Sequence, residues 1–234
     1  MHILLDQMAL FTMLDVLAVA LTFASWALLG WLIEAEALSR PSVTILMKDY
    51  RRDWMREMIT RQPRIFDATI LGSLQQGTTF LASASMIALG GLLALIGNIE
   101  RLIGVAGDFT RGDPLAAVIE VKLIVTGIFL LYAFLKFIWS SRLFGYCAVL
   151  MAAVPNDPED PSALPRAMQA AEVNIRAAMN FNRGLRALYF ALGSLAWLLG
   201  AEALIVAAVA VAWMVWSRDF ASQSRRVLVG SPRV

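Results

Sequence analysis

Cysteine and histidine are almost missing from this chain: Cys147 and His2 stand alone among 234 residues. A lone cysteine excludes a disulfide within the chain. A lone histidine at the very start leaves no zinc ligand set and no Ser-His-Asp arrangement. Charge is also scarce, at 16% of residues against about 25% in a typical soluble domain. With a net charge of only +2, no basic surface is large enough for nucleic acid. Phosphate loops ending in Lys-Ser or Lys-Thr, Gly-x-Ser-x-Gly elbows and His-Glu-x-x-His motifs are all absent. Gly90-Gly91 sits inside an apolar run with no strand before it, so it reads as helix packing rather than a nucleotide fingerprint. No cofactor is expected. Nor is a cleaved secretory leader, because the first apolar run is too long for one and no small-residue cleavage site follows it.

What the chain has is apolar length. Hydrophobic residues make up 59%, above the roughly 45–50% of soluble domains. A bilayer core about 30 Å thick needs roughly 20 apolar residues per crossing helix. The first such segment is 14–34, uncharged from Val16 to Ile33, with Asp15 and Glu34 at its ends and Trp26 and Trp31 near one of them. Indole rings favour that interfacial position. Residues 68–98 carry no charge, and as one helix of about 31 residues they span roughly 46 Å, more than a bilayer needs. The polar start (Ser73, Gln75, Gln76, Thr78, Thr79) stands clear of the lipid, leaving a crossing near 78–98. After a Gly-rich loop (Gly104, Gly107, Gly112, Pro114), a third long helix supplies a crossing near 119–141, with Lys136 snorkelling at its basic end. Residues 155–165 hold four prolines and three acids and form an exposed linker. The helix that follows is amphipathic at first, with Glu172 and Arg176 as an i, i+4 pair, and then apolar to Ser217. That apolar stretch is too long for one crossing; a turn at Gly200 divides it into 185–199 and 201–217.

Residues 40–64 have a different character. Val43, Leu46, Met47, Tyr50, Trp54 and Met58 form one stripe, and Lys48, Arg51, Arg52 and Arg56 fill the other side. This pattern predicts an interfacial amphipathic helix, lying on the membrane and ended by Pro63. The fold class is therefore all-α: a polytopic membrane bundle of about five crossings. Helical extensions at 41–77, 140–154 and 165–184 reach into the cytoplasm.

Lys and Arg favour the cytoplasmic loops. Seven lie between Arg40 and Arg64, four between Arg142 and Arg183, and four between Arg218 and Arg233. The Gly-rich loop holds only Arg101 and Arg111. These segments alternate correctly with five crossings, the N-terminus outside and the C-terminus inside a bacterial inner membrane.

Two stretches resemble a known family. One runs Asp53-Trp54-Met55, then Arg61 to Asp67, then Thr79-Phe80-Leu81-Ala82-Ser83 and Gly90-Gly91-Leu92-Leu93-Ala94-Leu95. The other is Asn180-Phe181-Asn182-Arg183-Gly184-Leu185-Arg186-Ala187-Leu188-Tyr189-Phe190-Ala191-Leu192. Together they resemble the bacterial and plant membrane proteins grouped as domain of unknown function 599. The resemblance runs from about Leu14 to Asp219. It implies membrane class and assigns no activity and no site.

Three sets of residues could carry function. Gly72, Gln76, Thr79, Ser83 and Gly90 share one helix face, which either lines a polar cavity or packs closely on another helix. Arg176, Asn180, Asn182, Arg183 and Arg186 mark where the fourth long helix meets the membrane. They form either an anion or lipid-headgroup site or an interfacial anchor. Gly184 among them suggests close approach of another backbone. Asp67, Glu120 and Glu202 are the acids nearest to lipid; Asp67 lies three residues after Arg64 and is expected to pair with it. The chain is expected to contact the lipid bilayer and to self-associate as a structural protein or small channel. Alternatives are an accessory subunit of a larger membrane complex, or a lipid-modifying enzyme using Asp67 with Arg183 and Asn180.

Overall fold

The computed structural model describes residues 11–37, 39–99 and 113–230. His2, the loop residues Arg101, Gly104, Gly107, Arg111 and Gly112, and the tail residue Arg233 lie outside the described residues. All the regular structure described is helical: α1 (Met13–Glu34), α2 (Val43–Met58), α3 (Ile65–Gly97), α4 (Asp113–Ala152), α5 (Ala163–Ser194), α6 (Ala201–Trp216) and α7 (Gln223–Gly230). A 3-10 turn, Leu195–Leu199, follows α5, and a π turn, Ser217–Ala221, follows α6.

Local chemistry sets the helix ends. Thr12 and Asp15 cap α1 reciprocally, each side chain accepting from the other's backbone N–H at 3.2 and 3.0 Å. Ser42 caps α2 by accepting from the Ile45 N–H. Pro165 sits in the first turn of α5, where a missing N–H costs nothing. The long apolar stretch breaks at Gly200, whose φ of +129° is a conformation only glycine adopts without strain. Beyond it α6 doubles back: a Cβ added to Gly193 would lie 3.0 Å from Val211 and 3.9 Å from the Ala207 carbonyl.

Side-chain contacts give the register. In the α3–α4 pair, Arg64 reaches the Val154 carbonyl, Thr79 bonds Ser141, and Leu92 lies over Gly127. In the α4–α5 pair, Arg166 reaches the Ala153 carbonyl, Cys147 that of Ala170 and Ser140 that of Ala177, while Thr126 bonds Ser194. Both pairs are antiparallel along their whole length. α5 is central, touching α1, α2, α4 and α6, while α3 leans mainly on α4 at the edge.

The chain is an all-α polytopic membrane bundle. Four helices, α1, α3, α4 and the α6–α7 stretch, are long and apolar enough to cross a bilayer. The segment 185–199, expected from the sequence as a fifth crossing, is shorter than these four. Its 3-10 end rises about 2.0 Å per residue instead of 1.5, which lengthens its reach. The directions of the five segments alternate. α3, α4 and α5 have 33, 40 and 32 residues, or about 50, 60 and 48 Å, and all exceed a 30 Å core.

Their surplus length builds a second core at the basic end. Ala163, Ala167, Ala170, Ala171 and Ala177 of α5 pack there against Met55, Met58, Phe144, Cys147 and Met151. The apolar half has its own core of Leu29, Ile33, Leu123, Phe129, Phe190 and Val215. Its outer surface is bare Leu, Ile, Val and Phe, among them Leu17, Leu28, Phe80, Ile87, Ile128 and Val206. Such a surface suits lipid and would be a liability in water.

α2 ends at Met58, a turn before Pro63, and its buried stripe is rotated from the one expected. Leu46, Met55 and Met58 are buried, Tyr50 is exposed, and Arg51 turns inward onto Asn174. The helix packs on α5, so protein covers this stripe.

Candidate functional site

α1 runs apolar for most of its length and ends on a carboxylate. Glu34 has no cation three or four residues before it, so its partner must come from elsewhere in the fold. It comes from α5, where Arg183 and Arg186 stand three residues apart and reach the same point. Arg183 Nε donates to both Glu34 oxygens at 3.0 and 3.1 Å, and its Nη2 donates to Oε2 at 2.5 Å. Arg186 Nη2 donates to Oε1 at 2.5 Å. One carboxylate thus holds two guanidinium forks, and Arg186 is 6% exposed. Gly30, one turn earlier, lies beside Arg186: a Cβ there would stand 3.7 Å from Arg186 Nη2, an ordinary contact distance. Trp26, Ala27 and Tyr132 complete a small cleft over the pair. Lys136 Nζ lies 5.1 Å above the Tyr132 ring, on which Trp26 packs edge-on.

A second network adjoins it. Asn182 donates to Thr44 Oγ1 at 3.3 Å, and Thr44 donates to Asp219 Oδ1 at 3.0 Å. Arg218 donates to the Tyr189 hydroxyl at 2.7 Å and lies over its ring. Arg225 donates to the Pro41 carbonyl at 3.0 Å. The C-terminal segment is thereby tied to the start of α2, and α1, α2, α5 and α6 meet in one polar seam where the apolar half joins the basic half.

The expected arginine site is split. Asn182, Arg183 and Arg186 line the seam. Arg176 is exposed, and Asn180 is buried with its amide donating to the Arg176 carbonyl at 2.9 Å. Glu172 pairs not with Arg176 but with Arg52 of α2, at 2.8 Å, which raises the Arg52 pKa. Gly184 is closely approached by a ring rather than a backbone: a Cβ there would meet Phe137 at 2.7 Å. The polar face of α3 points outward, with Gly72, Gln76, Thr79, Ser83 and Gly90 all exposed. Its inward face carries Leu71, Thr78, Ala82 and Ser85.

The three acids fall in different surroundings. Asp67 is fully buried and accepts from Trp54 Nε1 at 2.7 Å and Arg61 Nη1 at 2.5 Å. Arg64, the partner expected from its spacing, donates instead to the carbonyls of Val154 and Pro155. Glu120 is partly exposed near the far end of α4. Glu202 is exposed in the first turn of α6, where a helix N-terminus favours an acid. The hydrogen bonds of Asp67 and of Arg183 go to separate partners, so no site unites Asp67 with Arg183 and Asn180 among the described residues.

The family model described as protein of unknown function, DUF599, matches residues 17–224. The chain belongs to that family. No curated protein and no solved structure matches the chain. The match spans both halves of the DUF599 fold, from within α1 to the start of α7, and so includes the whole Glu34–Arg183–Arg186 seam. Sequence reading missed Glu34, Thr44 and Asp219 as site residues. The one signal on offer was an acid closing an apolar run with no nearby cation.

Proposed function

We propose that this chain is a homo-oligomeric scaffold or small channel of a bacterial inner membrane, with its basic half in the cytoplasm, its N-terminus outside and its C-terminus inside. The orientation rests on the distribution of Lys and Arg. The observation that carries self-association is the outer face of α3. Gly72, Gln76, Thr79 and Ser83 line an open groove there with Phe80. Only 11% of the apolar window of this helix is buried within one chain. Small and hydroxyl residues let membrane helices approach closely and hydrogen-bond. A second copy would cover this groove, and a closed ring would set its residues around an axis.

Ser83→Cys tests the interface in native membranes, because the native Cys147 is buried and does not compete. Oxidation is expected to join two copies through residue 83, and not through a Val206→Cys control on exposed α6. Native mass spectrometry in mild detergent should give a multiple of one chain. A strict monomer, or a stoichiometric foreign partner, overturns the reading; the latter makes the chain an accessory subunit. Liposomes passing no ion or small solute would remove the channel and leave the scaffold.

A further inference from the structure

Arg51 is a cation turned into the protein without an acid. It donates to the Asn174 side-chain oxygen, and among the described residues no carboxylate pairs with it. A guanidinium offers five donors, and the others of Arg51 have no hydrogen bond among the described residues. Burial pushes its pKa down, and the nearby Cys147 thiol offsets this only in part. A cation withdrawn from water and left unpaired is costly, so a retained one calls for a counter-charge.

The space beside it is suited to supply one. A cleft of about 220 Å³ lies between α2 and α5, lined by Thr44, Met47, Lys48, Arg51, Met179 and Asn182. Lys48 is 12% exposed and contacts Glu36, itself 71% exposed; such a pair is weak and can be shared. Each wall carries polar groups beside a thioether, Met47 on α2 and Met179 on α5, which fits a charged group joined to an apolar one. The cleft shares Thr44 and Asn182 with a neighbouring cleft that holds Arg186, Arg218 and the Asp219 carboxylate that Thr44 bonds, near the ends of α1 and α6. The cleft thus lies near the ends of the apolar helices α1 and α6, at Glu34 and Trp216, where a headgroup would meet them.

We propose that the α2–α5 cleft binds a phosphate group, with the Arg51 fork and the Lys48 ammonium as its ligands and Asn182 and Thr44 beside it. The phosphate is either that of an anionic phospholipid or free in solution, and the two are separable by experiment. The full-length protein is placed in phosphatidylcholine nanodiscs and titrated with inorganic phosphate. In parallel it is placed in nanodiscs containing phosphatidylglycerol, and retained lipid is counted by native mass spectrometry. A melting temperature raised by phosphate alone assigns the free anion, and retention of phosphatidylglycerol assigns the headgroup. In either case Arg51→Gln is expected to weaken binding about tenfold or more, as for loss of a charge-assisted hydrogen bond. Arg142→Gln removes the same charge from an exposed site and should leave binding within about twofold. Should Arg51→Gln not fold, Lys48→Gln carries the same expectation in smaller measure. Wild type binding neither probe, or folded Arg51→Gln and Lys48→Gln binding as wild type, overturns the proposal.

Discussion

The same two helices, α4 and α5, hold together the basic half and the apolar half by different means. At the basic end an alanine face on α5 (Ala163, Ala167, Ala170, Ala171, Ala177) is almost fully buried under methionine and phenylalanine. Charges there are matched across helices: Arg52 with Glu172, Arg61 with Asp67, and Glu34 with Arg183 and Arg186. At the apolar end the contact is Phe129 on Phe190, with one hydroxyl pair, Thr126 to Ser194 at 2.7 Å. Where water surrounds a bundle, apolar burial drives helices together and a charge can stay solvated on the rim. In lipid the surroundings are as apolar as the core, so close packing and a few hydrogen bonds must suffice. The boundary lies at Phe137 against Gly184, beside the polar seam.

The difference predicts unequal costs for removing polar groups. Glu34→Gln should do most damage, about 3–5 kcal/mol, because it strands two guanidinium groups, one of them buried. Denaturant titration in mild detergent reads this; a loss under about 1 kcal/mol would mean the seam is solvated and erase the contrast. Met55→Ala, at a fully buried site in the basic core, should cost about 2–5 kcal/mol by cavity formation. The same titration with protein in stiffer and softer detergents should leave that cost unchanged if the core is independent of lipid. At the boundary, Gly184→Ala should cost about 1–3 kcal/mol through the Phe137 ring. Pairing it with Phe137→Leu should restore most of that loss, and a double-mutant cycle measures the coupling. The smallest effect belongs to Thr126→Val in the apolar half, near 0.6 kcal/mol, as for hydrogen bonds between membrane helices. Should it exceed Glu34→Gln, the two halves would have to exchange roles.

Much of the architecture was legible because it depends on local properties. The helix expected at 14–34 is Met13–Glu34, and the helix expected to end at 98 ends at Gly97. A glycine midway through an apolar stretch too long for one crossing located the α5–α6 hairpin, and the positive φ of Gly200 is its cause. The site was much less legible. Arg51 lies among Lys48, Arg52 and Arg56, and composition puts all four on the solvent side; packing of α2 on α5 turned Arg51 inward. The i, i+3 and i, i+4 rules paired Asp67 with Arg64 and Glu172 with Arg176. Both acids instead took partners on or just after α2, Arg61 and Arg52. An exposed local pair is worth only a few tenths of a kcal/mol, so any better geometry offered by a neighbouring helix displaces it.

Sequence alone determined that the chain is a multi-pass helical membrane protein with helices longer than a bilayer. Hydrophobicity and helix length are properties of consecutive residues, and they survive any arrangement of the helices. Only the tertiary structure decided where the charges go. Glu34 finds its arginines 149 and 152 residues away, and which cation it meets depends on the side of α5 that α1 packs against. Shape enters at Gly184, where a Cβ would meet the Phe137 ring at 2.7 Å and disturb the packing of α5 on α4.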